Sequence, residues 1–115
     1  MSLVLCPCCG LPTLPSRGNY EICPICWWED DGQDDHNADQ ILGVPNSHYS
    51  LTRARSNVRD HGDMYDPGHG IAVLLQPSEA RRLLMEHVQR LWEGTIAFRE
   101  DQLRQLVDAQ RESYR

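Results

Sequence analysis

Lysine is absent from this chain; all eleven basic residues are arginine. Basic residues of any kind are nearly missing from its first half. There, residues 1–51 set Arg17 alone against seven acids: Glu21, Glu29, Asp30, Asp31, Asp34, Asp35 and Asp39. Residues 52–115 are balanced, with ten arginines and ten acids. The formal net charge of −6 repels phosphate backbones, so nucleic acid is not the default partner. No apolar run approaches the about 18 residues that a membrane-spanning helix needs, so no span is expected. There is no Gly-x-Ser-x-Gly, phosphate loop, dinucleotide fingerprint or zinc-protease helix, and hence no motif for those chemistries. The opening Met1-Ser2-Leu3-Val4-Leu5-Cys6 has the outline of a lipoprotein cleavage site. It lacks a basic start and an apolar run of at least about seven residues, so no signal peptide is expected. The expected location is the reducing cytoplasm, where paired cysteines more often bind metal or do redox work than form disulfides.

What the chain does have is cysteine: five residues, all before position 27. Cys6-Pro7-Cys8-Cys9-Gly10 and Cys23-Pro24-Ile25-Cys26 contain two Cys-x-x-Cys pairs with thirteen residues between them. Two residues between cysteines let both sulfurs of a tight turn converge on one cation. Two such turns complete a tetrahedral shell with Zn–S distances of about 2.3 Å. Proline after the first cysteine fixes φ for the turn, and Gly10 can take a positive φ as the chain turns back. The pattern is that of the two knuckles of a zinc ribbon. It predicts one structural zinc ion per chain, held by Cys6, Cys9, Cys23 and Cys26. Four thiolates close the shell, whereas a catalytic zinc keeps a position for water or substrate. The competing reading, a thioredoxin-like redox pair, needs a long helix after the motif, and Pro12 and Pro15 interrupt that segment. Cys8 is the odd cysteine. Adjacent Cys8 and Cys9 cannot easily face one ion together, so spacing assigns Cys9 as the ligand. Cys8 is left as a packing residue, an exposed thiol or a substitute ligand.

These residues resemble the bacterial cysteine-rich CPCC family. Cys6-Pro7-Cys8-Cys9-Gly10 is similar to its name-giving motif. Tyr20-Glu21-Ile22-Cys23-Pro24-Ile25-Cys26, followed by Trp28-Glu29-Asp30-Asp31-Gly32, is similar to its second block. Pro45-Asn46, Ser50-Leu51, Ala54-Arg55 and Asn57 are similar to its third. The likeness covers about residues 5–62, roughly half of the chain. It implies a small zinc-binding module and supplies no reaction. Residues 63–115 lie outside it.

Tyr20-Glu21-Ile22 alternates sides as a ribbon strand would, with residues 11–14 as its expected partner. Pro12 and Pro15 confine that partner to an edge. One of Trp27 and Trp28 is expected to pack over the metal module. The run Glu29-Asp30-Asp31-Gly32-Gln33-Asp34-Asp35-His36 is the strongest concentration of charge. It is not a calcium loop, because its acids do not fall at alternate positions before a glycine. A second metal site at Asp34, His36 and Asp39 stays open beside a solvated loop or a docking surface. Ser50 is placed to cap a helix from Leu51, with Leu51, Ala54 and Val58 on one face and Gly62 at its end. Arg53, Arg55 and Arg59 could reach back to the acidic loop. A breaker-rich linker, residues 63–70, leads to the apolar run Ile71-Ala72-Val73-Leu74-Leu75, of strand or helix length. Pro77 is expected at the first position of a helix. Its apolar face would carry Ala80, Leu83, Leu84, His87, Val88, Leu91 and Trp92. After Gly94 the pattern resumes with Ile96, Phe98, Leu103, Leu106 and Val107, giving two helices or one kinked helix.

The expected fold is small α+β: a zinc-ribbon-like module over residues 1–62, packed with two to three α-helices. The expected function is a zinc-stabilised protein-interaction module. It would meet a basic protein through Trp28, Glu29, Asp30, Asp31, Asp34 and Asp35, as an immunity protein meets a basic toxin or as an adaptor would. The C-terminal helices could add a contact surface, including one for a homodimer. Two alternatives remain. One is a zinc-ribbon nucleic-acid-associated protein using Arg53, Arg55, Arg59, Arg81 and Arg82. The other is a zinc- or thiol-dependent enzyme, for which no catalytic residue is assigned and Cys8 is the one thiol that could carry chemistry.

Overall fold

The computed structural model describes residues 2–115. Its fold is α+β, with one two-stranded sheet and four α-helices among the described residues. The chain divides into two units, Met1–His69 and Gly70–Arg115.

In the first unit, each Cys-x-x-Cys turn sits at the tip of its own hairpin. Strand β1 (Val4–Leu5) pairs antiparallel with β2 (Pro12–Leu14), with Val4 opposite Leu14 and Leu5 opposite Pro12. Around the second turn, Ile22 bridges Glu29, the Tyr20 amide donates to the Asp30 carbonyl, and the Asp30 amide donates to Glu21. This corrects the expected pairing: residues 11–14 meet Val4–Leu5, not Tyr20-Glu21-Ile22. Closing a short loop costs less chain entropy than closing a long one, and each turn already aligns its own flanks. Tyr20 has φ of 61°, which keeps its segment from a regular strand.

Helix α1 (Leu51–His61) starts where the Ser50 hydroxyl accepts from the Arg53 amide at 3.1 Å. It stops at Gly62, whose φ of 96° suits glycine and whose amide donates to the Val58 carbonyl. Leu51, Ala54, Asn57 and Val58 recur at helical spacing on its buried face. Asn57 is a polar residue on that face, and its amide donates to the Met64 carbonyl and to Asp66. The Met64 amide then donates to the Cys26 carbonyl, bringing the chain after α1 back onto the second turn.

The second unit holds α2 (Ala72–Leu75), α3 (Glu79–Glu93) and α4 (Glu100–Ser113). The apolar run at 71–75 is therefore a short helix. Pro77 does not open α3: the Ser78 hydroxyl accepts from the Arg81 amide and caps it, leaving proline before the cap. Gly94 ends α3 at φ of 75°, so the apolar pattern on either side of it belongs to two helices. The start of α3 lies beside the end of α4, since Ser78 meets Ser113 and Arg81 meets Gln110. The pair is an antiparallel hairpin closed by Leu84, Val88, Leu103 and Val107. Leu83 and Phe98, expected on the buried faces, are each 47% exposed.

Candidate metal centre

Both cysteine turns obey one hydrogen-bond rule, imposed by Cys-Pro-x-Cys. In the first, the Cys6 amide donates to the Leu11 carbonyl and the Gly10 amide donates back to the Cys6 carbonyl, both at 2.9 Å. In the second, Cys23 and Trp28, and Trp27 and Cys23, repeat those bonds at the same distance. The third residue of each turn donates its amide to the first sulfur: Cys8 to Cys6 Sγ and Ile25 to Cys23 Sγ, both at 3.4 Å. Cys8 is thus the counterpart of Ile25. The shared geometry aims the first and fourth side chains inward and gives the third a role that isoleucine also fills.

The turns bring Cys6, Cys9, Cys23 and Cys26 together, all buried, with their sulfurs within 4.8 Å of one another. Cys6 and Cys26 sulfurs are 3.6 Å apart, and those of Cys9 and Cys23 are 3.7 Å apart. A tetrahedron with metal–sulfur bonds of about 2.3 Å has sulfur–sulfur edges of about 3.8 Å, so the donor set fits such an ion. None of the five cysteines forms a disulfide. Burial pushes the Cys23 thiol up, but hydrogen bonds from Cys26, Cys6, Cys9 and Thr13 prevail and hold it well below the usual thiol range. Cys9 is raised by its hydrogen bond with Cys23, and Cys26 by burial and then by Cys23. Cys9, Cys23 and Cys26 shift in opposite directions because each answers the charge of the others, a repulsion that a bound cation would relieve. Thr13 Oγ1 lies 3.0 Å from Cys23 Sγ, a contact the cysteine spacing alone does not reveal.

The acidic run is less exposed than its composition suggests. Trp28 and Asp30 are both 0% exposed, so neither side chain faces a partner, contrary to expectation. The Asp30 carboxylate accepts from Arg17 Nε at 2.9 Å and from the amides of Gly18 and Gly32. Those hydrogen bonds and an ion pair offset the cost of burying its charge. Arg17 also donates to Asp34 at 2.6 Å and holds that carboxyl below its usual range. Asp34 and Asn37 form a reciprocal cap on a short 3-10 turn, Asp35–Asn37. Arg55 of α1 reaches back as expected, pairing with Asp35 at 2.8 Å and donating Nε to the Pro7 carbonyl of the first turn. Arg53 pairs instead with Asp66. Glu29 and Asp31 are half-buried, and Asp35 is exposed. Asp34, His36 and Asp39 are not gathered around one point: Asp34 faces Arg17 and Asp39 accepts from Thr52. Arg81 is buried against Gln110 and Arg82 pairs with Glu79.

A four-thiol cluster positioned to hold a metal ion, carried on an α+β chain, defines the class of this protein. The profile of the family described as Cysteine-rich CPCC matches residues 4–77, well over half of its length, and the chain belongs to that family. The match runs past residue 62 to include the linker and α2. No curated protein and no solved structure matches.

Proposed function

We propose that Cys6, Cys9, Cys23 and Cys26 hold one zinc ion, and that it organises the first unit as a module for binding a basic protein. The convergence of four buried sulfurs from two like turns carries this reading. The ion would be structural: four thiolates fill a tetrahedral shell and leave no position for water or substrate. Its contribution would be folding energy, since two short hairpins with a two-stranded sheet bury little on their own. Glu29, Asp31, Asp34 and Asp35 would form the contact surface, with Trp28 and Asp30 supporting it from within. Nucleic-acid binding is the weaker reading, because, of Arg53, Arg55, Arg59, Arg81 and Arg82, all but Arg59 already hold a polar or acidic group within their own unit.

Purified protein should contain about one zinc per chain, and X-ray absorption at the zinc edge should report four sulfur ligands. A nitrogen or oxygen ligand would overturn the structural assignment. Partners captured from the native cell extract should be released by rising salt and lost when Asp31 and Asp35 are both changed to Asn. Retention of every partner by that variant would overturn the acidic-surface assignment.

A further inference from the structure

The fifth residue of each cysteine turn takes a left-handed backbone: Gly10 at φ of 79° and Trp27 at φ of 71°. Glycine reaches that conformation without a steric penalty, whereas tryptophan does not. The first turn therefore carries the unstrained solution, and the second carries a large aromatic ring in the same place. Ser47, at φ of 56°, is another of the non-glycine residues with positive φ among those described. Trp27 and Ser47 line the same cavity, of about 210 Å³, together with Glu29, Asn46, Tyr49 and Tyr65. Residues held in sparsely populated backbone regions cluster at binding sites.

The lining of this cavity is mixed: Ile22, Pro45 and Met64 are apolar, and Glu29 is its one charged residue. Tyr49 and Tyr65 meet edge to face, with ring centroids 5.9 Å apart and planes at 85°. The Tyr49 ring is already covered, by His48 with centroids 4.3 Å apart and by Arg53 at 5.8 Å, so it braces Tyr65 from within. The Glu29 backbone is fixed on both sides by the Asn46 side chain, which accepts from its amide and donates to its carbonyl. Its carboxylate, unlike those of Asp30, Asp34 and Asp35, has no arginine or histidine partner among the described residues. Burial raises the Tyr65 phenol above its usual range, and the charges of Asp63, Tyr49 and, least, Glu29 push it further. At about 210 Å³ the cavity is below the range of about 300–1,000 Å³ typical of whole small-molecule sites. It has room for one functional group.

We infer that this cavity receives an alkylammonium group, with Trp27 and Tyr65 supplying aromatic walls and Glu29 the counter-charge. Aromatic walls attract a cation through their ring quadrupoles, and a nearby carboxylate adds a charge-assisted hydrogen bond. The inference rests on the reading of the first unit as a module for a basic protein, and it names the anchor as a lysine side chain of that protein.

The test is a titration of the zinc-loaded full chain, followed by amide and indole NMR shifts. The ligands are a short peptide with one lysine, its norleucine counterpart, and tetramethylammonium. The lysine peptide should shift the Trp27 indole and the Tyr65 amide saturably, with norleucine at least about fivefold weaker. Trp27→Gly restores the backbone preference seen at Gly10, so zinc content and fold should persist while binding falls at least about fivefold. Glu29→Gln keeps the backbone bonds to Asn46 and should lose a similar factor. Equal binding of norleucine, or unchanged binding in Trp27→Gly, would overturn the inference. Tetramethylammonium binding without lysine binding would overturn the lysine assignment. The module reading has a separate readout: if Asp31/Asp35 variants release a captured partner while Trp27→Gly retains it, the cavity fails and the module stands.

Discussion

Replacing Cys8 and Cys9 one at a time distinguishes a ligand from its neighbour. Cys9 lies in the four-sulfur cluster, 3.7 Å from Cys23 Sγ, while Cys8 occupies the place that Ile25 takes in the second turn. Structural zinc contributes about 10–16 kcal/mol to small domains. The whole stability of a domain is about 5–15 kcal/mol. Removing one of four thiolates should therefore abolish stable folding of the first unit. Cys8→Ala deletes a small buried side chain whose backbone bond to Cys6 Sγ survives, so its cost should be about 1 kcal/mol. Zinc content and circular-dichroism melts of both variants provide the assay. Cys8→Ala should keep one zinc and melt a few degrees lower, whereas Cys9→Ala should lose both the metal and the first unit's structure. The reverse pattern, with metal lost in Cys8→Ala and kept in Cys9→Ala, would refute the equivalence of the two turns.

Ser50→Ala removes the hydroxyl that accepts from the Arg53 amide and should cost about 1 kcal/mol in urea unfolding, with Ser50→Asp recovering most of it. Gln110→Leu takes away an acceptor from the buried Arg81 guanidinium and should cost about 1.5–3 kcal/mol, read by the same assay; a neutral result would mean that this bond contributes little. Zinc binding should release protons. Cys9 and Cys26 are held in the thiol form by pKa values raised above the usual range, and a metal ligand must be the thiolate. Affinity should accordingly rise with pH through neutrality, and calorimetry in buffers of different ionisation enthalpy should detect that release. A pH-independent affinity would contradict it.

The features legible in the sequence are those closed by nearby residues. Cys-Pro-x-Cys, Gly10, Ser50 and Gly62 act within about one turn of chain, and the structure places each where its chemistry requires. Strand pairing was less legible, because a strand of two or three residues carries too little alternation to name its partner. Pro77 was misleading for a related reason: proline suits several positions around a helix start, and the adjacent Ser78 offered a stronger cap. Burial of Trp28 beside half-buried Trp27 could not be separated by composition, since both follow the last cysteine. The left-handed backbone at the fifth position of the turn distinguishes them. It rotates Trp27 off the path that carries Trp28 into the core.

Charge was the most deceptive signal, and the reason is specific. Arg17 is the sole basic residue among residues 1–51, and its guanidinium is spent on Asp30, Asp34 and the Gln33 carbonyl. A second cation, Arg55, comes from α1 to meet Asp35 while gripping the first cysteine turn at Pro7. Three of the acids that read as surface charge are thus tied to arginine, and one of them is wholly buried. These pairs tether the acidic loop to both the glycine turn at Gly18 and the metal-binding turn. The loop's rigidity and its charge therefore draw on the same residues. Asp35 keeps its side chain largely exposed despite its pair, and so still faces an outside partner, while Glu29 at the cavity has no arginine of its own among the described residues.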